Sequence, residues 1–189
     1  MVLRNLSMLA AENLMKLSEI ENIKLPFRGN ELNIKITKSP FPYTRLLQKG
    51  DTLNISLSSL YRTENEQQKE VFDQIMIWYK AQARRYFTQE VEVEKSKYNF
   101  SYNDISIKDT VSRWGSCSTQ KNFNFNWRLV MAPPEILNYV VSHEIAHLTY
   151  MDHSKEFWAL VAQRFPKYKE AKSWLTKNGS NLLNFQLCG

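Results

Sequence analysis

The sequence predicts an α+β fold, from an element order of helix, strands, helix, strands and helices. Three observations carry that order. Polar and apolar residues alternate over residues 31–37, 52–57, 104–108 and 123–127, the pattern of half-buried strands. Apolar residues recur at helical spacing after Thr63. A proline pair, Pro133-Pro134, opens a further helical stretch, since proline is tolerated in a first turn and disfavoured inside a helix.

Taken in chain order, Leu6, Leu9, Leu14, Leu17 and Ile20 predict an amphipathic helix over about residues 5–20. Residues 1–24 are read as an N-terminal helical extension, and 25–189 as a single domain. Pro40, Pro42 and Gly50 punctuate the interval between the first two strands. Thr63-Glu64-Asn65-Glu66 has the spacing of a capping box. It opens a helix that buries Val71, Phe72, Ile75, Met76, Trp78, Tyr79 and Ala83 and runs to about Phe87 or somewhat beyond. The stretches 104–108 and 123–127, with Gly115 between them, are predicted as two strands of a small antiparallel sheet. After the proline-initiated helix, Ser154 caps a helix carrying Phe157, Trp158, Leu160, Val161 and Phe165. Pro166 interrupts it, and Gly179 is placed at the end of the last helix.

The 189 residues suffice for a proper core, and 43% hydrophobic with 13% aromatic content is a globular composition. No apolar run approaches the ~18 residues that cross a membrane, and Glu12, Asn13 and Lys16 break the apolar core a signal peptide would need. Cys117 and Cys188 do not make a disulfide framework, so a cytoplasmic enzyme is the expectation. The net charge of +6 and the pI of about 9.2 fit anionic partners, nucleic acid included, or simply a solvated basic surface. Lys155, Arg164, Lys167, Lys169, Lys172 and Lys177 face only Glu156 and Glu170 in the C-terminal stretch.

All three histidines of the chain stand in His143-Glu144-Ile145-Ala146-His147 and, shortly after, His153. Two histidines four apart on a helix share one face. Their imidazoles can therefore reach one Zn²⁺, at about 2.0–2.1 Å each. Glu144 projects beside that face, where a carboxylate can take a proton from a water on the metal. Three protein ligands with an open fourth position distinguish a catalytic from a structural zinc. His153 is the candidate third ligand and Glu156 the fallback. Asp152 is the residue best suited to a left-handed turn that brings His153 back to the metal. Imidazole ligands suit zinc rather than magnesium or calcium.

A second constellation is Ser112-Arg113-Trp114-Gly115-Ser116-Cys117-Ser118. Arg113 is a candidate for gripping a substrate carboxylate or phosphate bidentately, and Trp114 for a pocket wall; a tight turn with Trp114 in the core is the structural alternative. Cys117 has no C-x-x-C partner and is treated as structural.

These segments resemble the YgjP-like metal-dependent hydrolase family. The matching residues are Ser112 to Cys117, Asn126-Trp127-Arg128-Leu129, Ala132-Pro133, Tyr139 to Leu148, His153-Ser154, Phe157-Trp158, Pro166 and Trp174-Leu175, spanning about residues 104–179. The chain departs from the pattern at its start, where no Arg-rich strand meander is found. It departs also at Asp152, where Asn is usual, and at Ser142, where an apolar residue is usual. The resemblance implies a zincin-like fold, a small antiparallel sheet packed on the HExxH helix with further helices after it. His143, His147 and His153 would sit on one zinc and Glu144 would be the base. It also implies kinship with SprT-like and WLM proteases, in which an edge strand aligns an extended substrate; residues 122–131 are the candidate. The expected function is thus a zinc metallopeptidase acting on polypeptide. The alternatives are a nucleoside triphosphate phosphohydrolase, weakened by the lack of a glycine-rich phosphate loop and an acidic magnesium cluster, and a non-catalytic zinc module, for which Glu144 is superfluous.

Overall fold

The computed structural model describes residues 15–185 and 187. Residues 5–14 of the first expected helix lie outside this range; Leu17–Ile20, its end, is a short helix, α1. The described residues divide into two compact units, one of 15–26, 31–78 and 187, the other of 27–30 and 79–185.

The first unit is built on a mixed sheet of order β1-β2-β4-β3, comprising β1 (Leu25–Phe27), β2 (Asn30–Ser39), β3 (Arg45–Lys49) and β4 (Thr52–Ser58). β2 runs parallel to β4, with Ile34 opposite Leu53 and Ile36 opposite Ile55. β3 returns antiparallel on β4 through a turn at Gly50, whose φ of 61° is one that glycine adopts without strain. Alternation made β2 and β4 legible in sequence. β3 has no such pattern, because its face is largely solvated: Leu47 is 68% exposed.

The long helix α2 (Glu64–Tyr98) opens at the expected capping box. Thr63 Oγ1 accepts from Glu66 N at 3.2 Å, and the Glu66 carboxylate accepts from Thr63 N at 3.0 Å. It extends eleven residues past Phe87 because its buried stripe continues through Val91 and Glu94.

In the second unit, β5 (Asp104–Lys108), β6 (Gly115–Cys117) and β7 (Asn122–Asn126) form a three-stranded sheet of order β5-β7-β6. The expectation that residues 104–108 and 123–127 pair antiparallel fails: β5 runs parallel to β7, with Ile105 opposite Phe123. The antiparallel partner of β7 is β6, three residues that carry no readable alternation. Phe87 of α2 stacks on Phe125 with centroids 4.2 Å apart and planes at 5°, an arrangement that adds about 0.5–1.5 kcal/mol to the burial of the two rings.

After β7 a 3-10 turn (Trp127–Met131) leads into α3 (Pro134–Ala146), then α4 (Lys155–Arg164) and α5 (Tyr168–Leu183). α3 lies at the centre of this unit, in contact with β6, the 3-10 turn, α4 and α5. Gly179 does not end α5, which runs on to Leu183. It allows a close approach instead: a Cβ there would stand 3.0 Å from Cζ2 of Trp114. Among the described residues no helix is long and apolar enough to cross a membrane. The fold is α+β, with small sheets and the HExxH helix buried among further helices.

Candidate metal centre

α3 starts where the prolines require it, with Pro133 at the N-cap and Pro134 in the first turn. Its apolar residues Ile136, Leu137, Val140, Val141 and Ile145 are buried, which fixes the rotation of the helix. His143 and His147 then emerge one turn apart on one side. His147 is the C-cap, and the chain closes behind it with Tyr150 N donating to Ala146 O at 3.0 Å.

His153 is delivered from the loop before α4. Asp152 Oδ1 accepts from Ser154 N at 3.3 Å, and Ser154 Oγ accepts from Phe157 N at 3.3 Å, so both neighbours of the loop's end are tied to the helix start. No left-handed residue is needed: the non-glycine residues with positive φ among those described are Arg28, Asn99 and Lys121, not Asp152.

The three imidazoles offer ligand atoms within 4.8 Å of one another. His143 Nε2 faces His153 Nε2 at 3.1 Å, close to the ~3.4 Å that separates nitrogens on a tetrahedral zinc. His147 Nδ1 is 2.9 Å from the Tyr150 carbonyl, so Nδ1 carries the proton and donates it, and Nε2 is left with its lone pair. Burial, reinforced by the charges of His147, His153 and Lys172, pushes the His143 pKa down to about 3. Burial likewise lowers that of His147. Neutral imidazoles are the form that takes a metal. Phe157 packs 4.6 Å from the His147 ring and 4.9 Å from the His143 ring, walling the cluster with apolar surface. Donor chemistry and spacing fit one metal ion. Glu156, in the first turn of α4, is not part of the cluster.

Glu144 lies on α3 between the histidines and is only 5% exposed. Burial raises its pKa to about 8, while the Arg113 guanidinium pulls the other way. Its carboxyl rests on the backbone of Gly115 in β6: a Cβ at Gly115 would meet Glu144 Oε1 at 2.5 Å. Cys117, two residues on, is a half-buried thiol whose pKa is pushed up to about 11 by burial and by the Glu144 charge. At neutral pH it is neither a thiolate nor a member of the histidine cluster, in line with a structural role.

The loop 109–114 is held down by Asn126, which is 1% exposed. Asn126 Nδ2 donates to Thr110 O at 2.6 Å, and Asn126 N donates to Trp114 O at 2.8 Å. Arg128 pairs with Asp109 at the start of the loop. Arg113 is exposed and lines, with Lys108, Trp114, Ser116 and Asn124, a cleft of about 320 Å³. Trp114 is half-buried rather than in the core: it lines that cleft and packs on Gly179.

The candidate edge strand was misplaced. Asn122–Asn126 is the central strand of its sheet and residues 127–131 are a 3-10 turn, so neither offers a free edge. Among the described residues, the strand with an open edge beside α3 is β6. Sequence reasoning also missed the seat that Gly115 provides for Glu144 and the Tyr150 carbonyl that orients His147. The first had a signal in the glycine of Trp114-Gly115-Ser116; a backbone carbonyl leaves none.

The YgjP-like, metallopeptidase domain family model matches residues 2–178. The chain belongs to the YgjP-like family. As a YgjP-like protein it is, at the level of class, a metal-dependent peptidase, and the family implies a metal ion and a polypeptide substrate. Among solved structures, the metallopeptidase zymogen abylysin of Pyrococcus abyssi is similar at 22% identity and a TM-score of 0.44, covering 48% of this chain and 93% of that one. No protein of curated function matches.

Proposed function

We propose that this YgjP-like protein is a zinc metallopeptidase, with one Zn²⁺ held by His143, His147 and His153 and with Glu144 as general base. The observation that carries the reading is the convergence of the two Nε2 atoms of His143 and His153 at 3.1 Å, while His147 engages its Nδ1 with Tyr150 O. When bound, zinc would supply Lewis acidity to the scissile carbonyl and would lower the pKa of the attacking water towards about 7.

The remaining roles belong to the chain. Glu144 takes a proton from the attacking water and hands it to the leaving amine. Its pKa of about 8 puts its carboxyl in the range where both transfers are feasible near neutral pH, and a nearby dication favours the ionised form that the first transfer needs. The bare Cα of Gly115 leaves the space that Glu144 fills. β6, whose outer edge is unpaired among the described residues, aligns an extended peptide by main-chain hydrogen bonds. Arg113 and Trp114 line the neighbouring cleft and contact substrate there. A non-catalytic zinc module has no use for a carboxylic acid held at 5% exposure beside the ligands.

The test is to incubate zinc-loaded protein with casein-like polypeptide and, separately, with a nucleoside triphosphate, each with and without chelator. Chelator-sensitive cleavage of the polypeptide alone is expected. Pyrophosphate release with intact polypeptide would replace the peptidase reading by a nucleotide hydrolase. Bound zinc with neither activity would leave a binding module.

A further inference from the structure

Beside the histidines stands a group of side chains that the proposed hydrolysis does not use. Trp158 of α4 stacks on the His153 ring, at 5.8 Å between centroids and 28° between planes, and on Tyr168, at 5.6 Å and 25°. Its ring centre is 5.7 Å from that of His143. Lys172 places Nζ 4.4 Å from the centre of the same indole. These residues, with Lys169, Ser173 and Thr176, line an open groove of about 500 Å³.

The groove is basic by arrangement. Lys169, Lys172, Ser173 and Thr176 are spaced i, i+3, i+4 and i+7 and share one face of α5. The acidic residue of that stretch, Glu170, lines a different hollow together with Glu135. Among the described residues the ion pairs are Lys95–Glu92, Lys97–Glu94 and Arg128–Asp109, none of which involves Lys169 or Lys172. Two ammonium groups therefore face one groove with no carboxylate in its lining. Lys172 is thus one indole away from the histidines, since the Trp158 ring over which its Nζ stands at 4.4 Å is itself 5.7 Å from that of His143.

We infer that this groove binds a carboxylate of the polypeptide substrate, from an acidic side chain or from the C-terminus, next to the scissile bond. The inference rests on the peptidase reading for its substrate class. At a rise of ~3.3 Å per extended residue, a carboxylate on Lys172 belongs to a residue within about three of the one being cleaved. Single-stranded nucleic acid fits less well. Such binding needs open aromatic faces for successive bases, whereas the Trp158 indole is already met by His153, Tyr168 and Lys172.

The experiment uses zinc-loaded Glu144→Gln protein and fluorescent peptides of one length: an acidic one with an amidated C-terminus, a neutral one with a free C-terminus, and a neutral amidated one. An oligo-dT strand is the fourth probe. At least one carboxylate-bearing peptide should bind about tenfold tighter than the neutral amidated peptide, the gain expected of a charge-assisted contact. Which peptide gains tells side chain from C-terminus. Lys169→Gln with Lys172→Gln should erase the gain with zinc content unchanged, and Lys172→Arg should keep it. Equal binding of all three peptides, a gain that survives the double substitution, or oligo-dT binding tighter than any peptide and lost in that variant would overturn the inference. Wild-type protein read in parallel separates the two claims. Zinc-dependent cleavage without carboxylate preference removes this inference alone; carboxylate-dependent binding without cleavage removes the hydrolytic reading alone.

Discussion

Gly115 and Glu144 occupy adjoining space so closely that a Cβ on the former would lie 2.5 Å from Oε1 and 2.8 Å from Cγ of the latter. Glu144 is thus positioned by a residue on a strand, not by its own helix alone. Gly115→Ala should keep zinc, because the histidines are not touched, but should force the Glu144 carboxyl aside. Displacement of a reacting group by about 1 Å costs on the order of 10²-fold in rate. Kinetics beside elemental analysis check this, and full turnover in the alanine variant would mean that Glu144 is placed by something else.

His153 is the exposed member of the cluster and comes from a loop. His153→Ala should weaken zinc binding while leaving the fold intact, whereas His147→Ala, which also removes the donor to Tyr150 O, should abolish stoichiometric zinc. Competitive titration against a chelator of known affinity measures both. An unchanged affinity in His153→Ala would assign the third ligand elsewhere.

Removing the metal should expose a pH dependence whose sign follows from the buried groups. Glu144 has its pKa raised from 4.5 to about 8. Its neutral form therefore supports the metal-free fold below pH 4.5, and that support is lost as pH rises through about 8. His143 has its pKa lowered from 6.5 to about 3. The metal-free protein therefore loses stability as pH falls below 6.5 towards 3. Thermal unfolding of metal-free wild type and of Glu144→Gln should diverge between pH 4.5 and 8, the wild type losing more as pH rises. Parallel curves across that window would contradict the buried state of Glu144.

Asn126 ties the loop that carries Arg113 to the sheet. Asn126→Ala removes its bond to Thr110 O and the 3.0 Å contact from Arg128 N to its Oδ1. Leaving those part-buried groups unpaired costs up to about 1–3 kcal/mol each. A lowered Tm with zinc retained is expected; an unchanged Tm would show that the loop is held by the Arg128–Asp109 pair instead.

Much of this was legible in local sequence because it is local physics. The Thr63/Glu66 capping box, the proline start of α3, the Ser154 cap and the alternation of β2, β4, β5 and β7 all act within a few residues. The pairing of His143 with His147 was legible for the same reason, four residues being about one helical turn. What local sequence does not encode is partner choice. Nothing in residues 104–108 states that they will run parallel to 122–126, and β6 is too short to alternate. Gly179 has the signature of a helix end, yet it serves to admit Trp114. The groove of Lys169 and Lys172 depends on Trp158 from another helix.

The most direct measurement is the turnover of Glu144→Gln at measured zinc occupancy. The substitution keeps the shape of the side chain and removes only its basicity. Zinc should remain at one per chain while polypeptide cleavage falls by about 10²–10⁴-fold, the range of general acid–base catalysis. Cleavage at the wild-type rate with zinc bound, or loss of zinc from the variant, would contradict the assignment of Glu144 as the base.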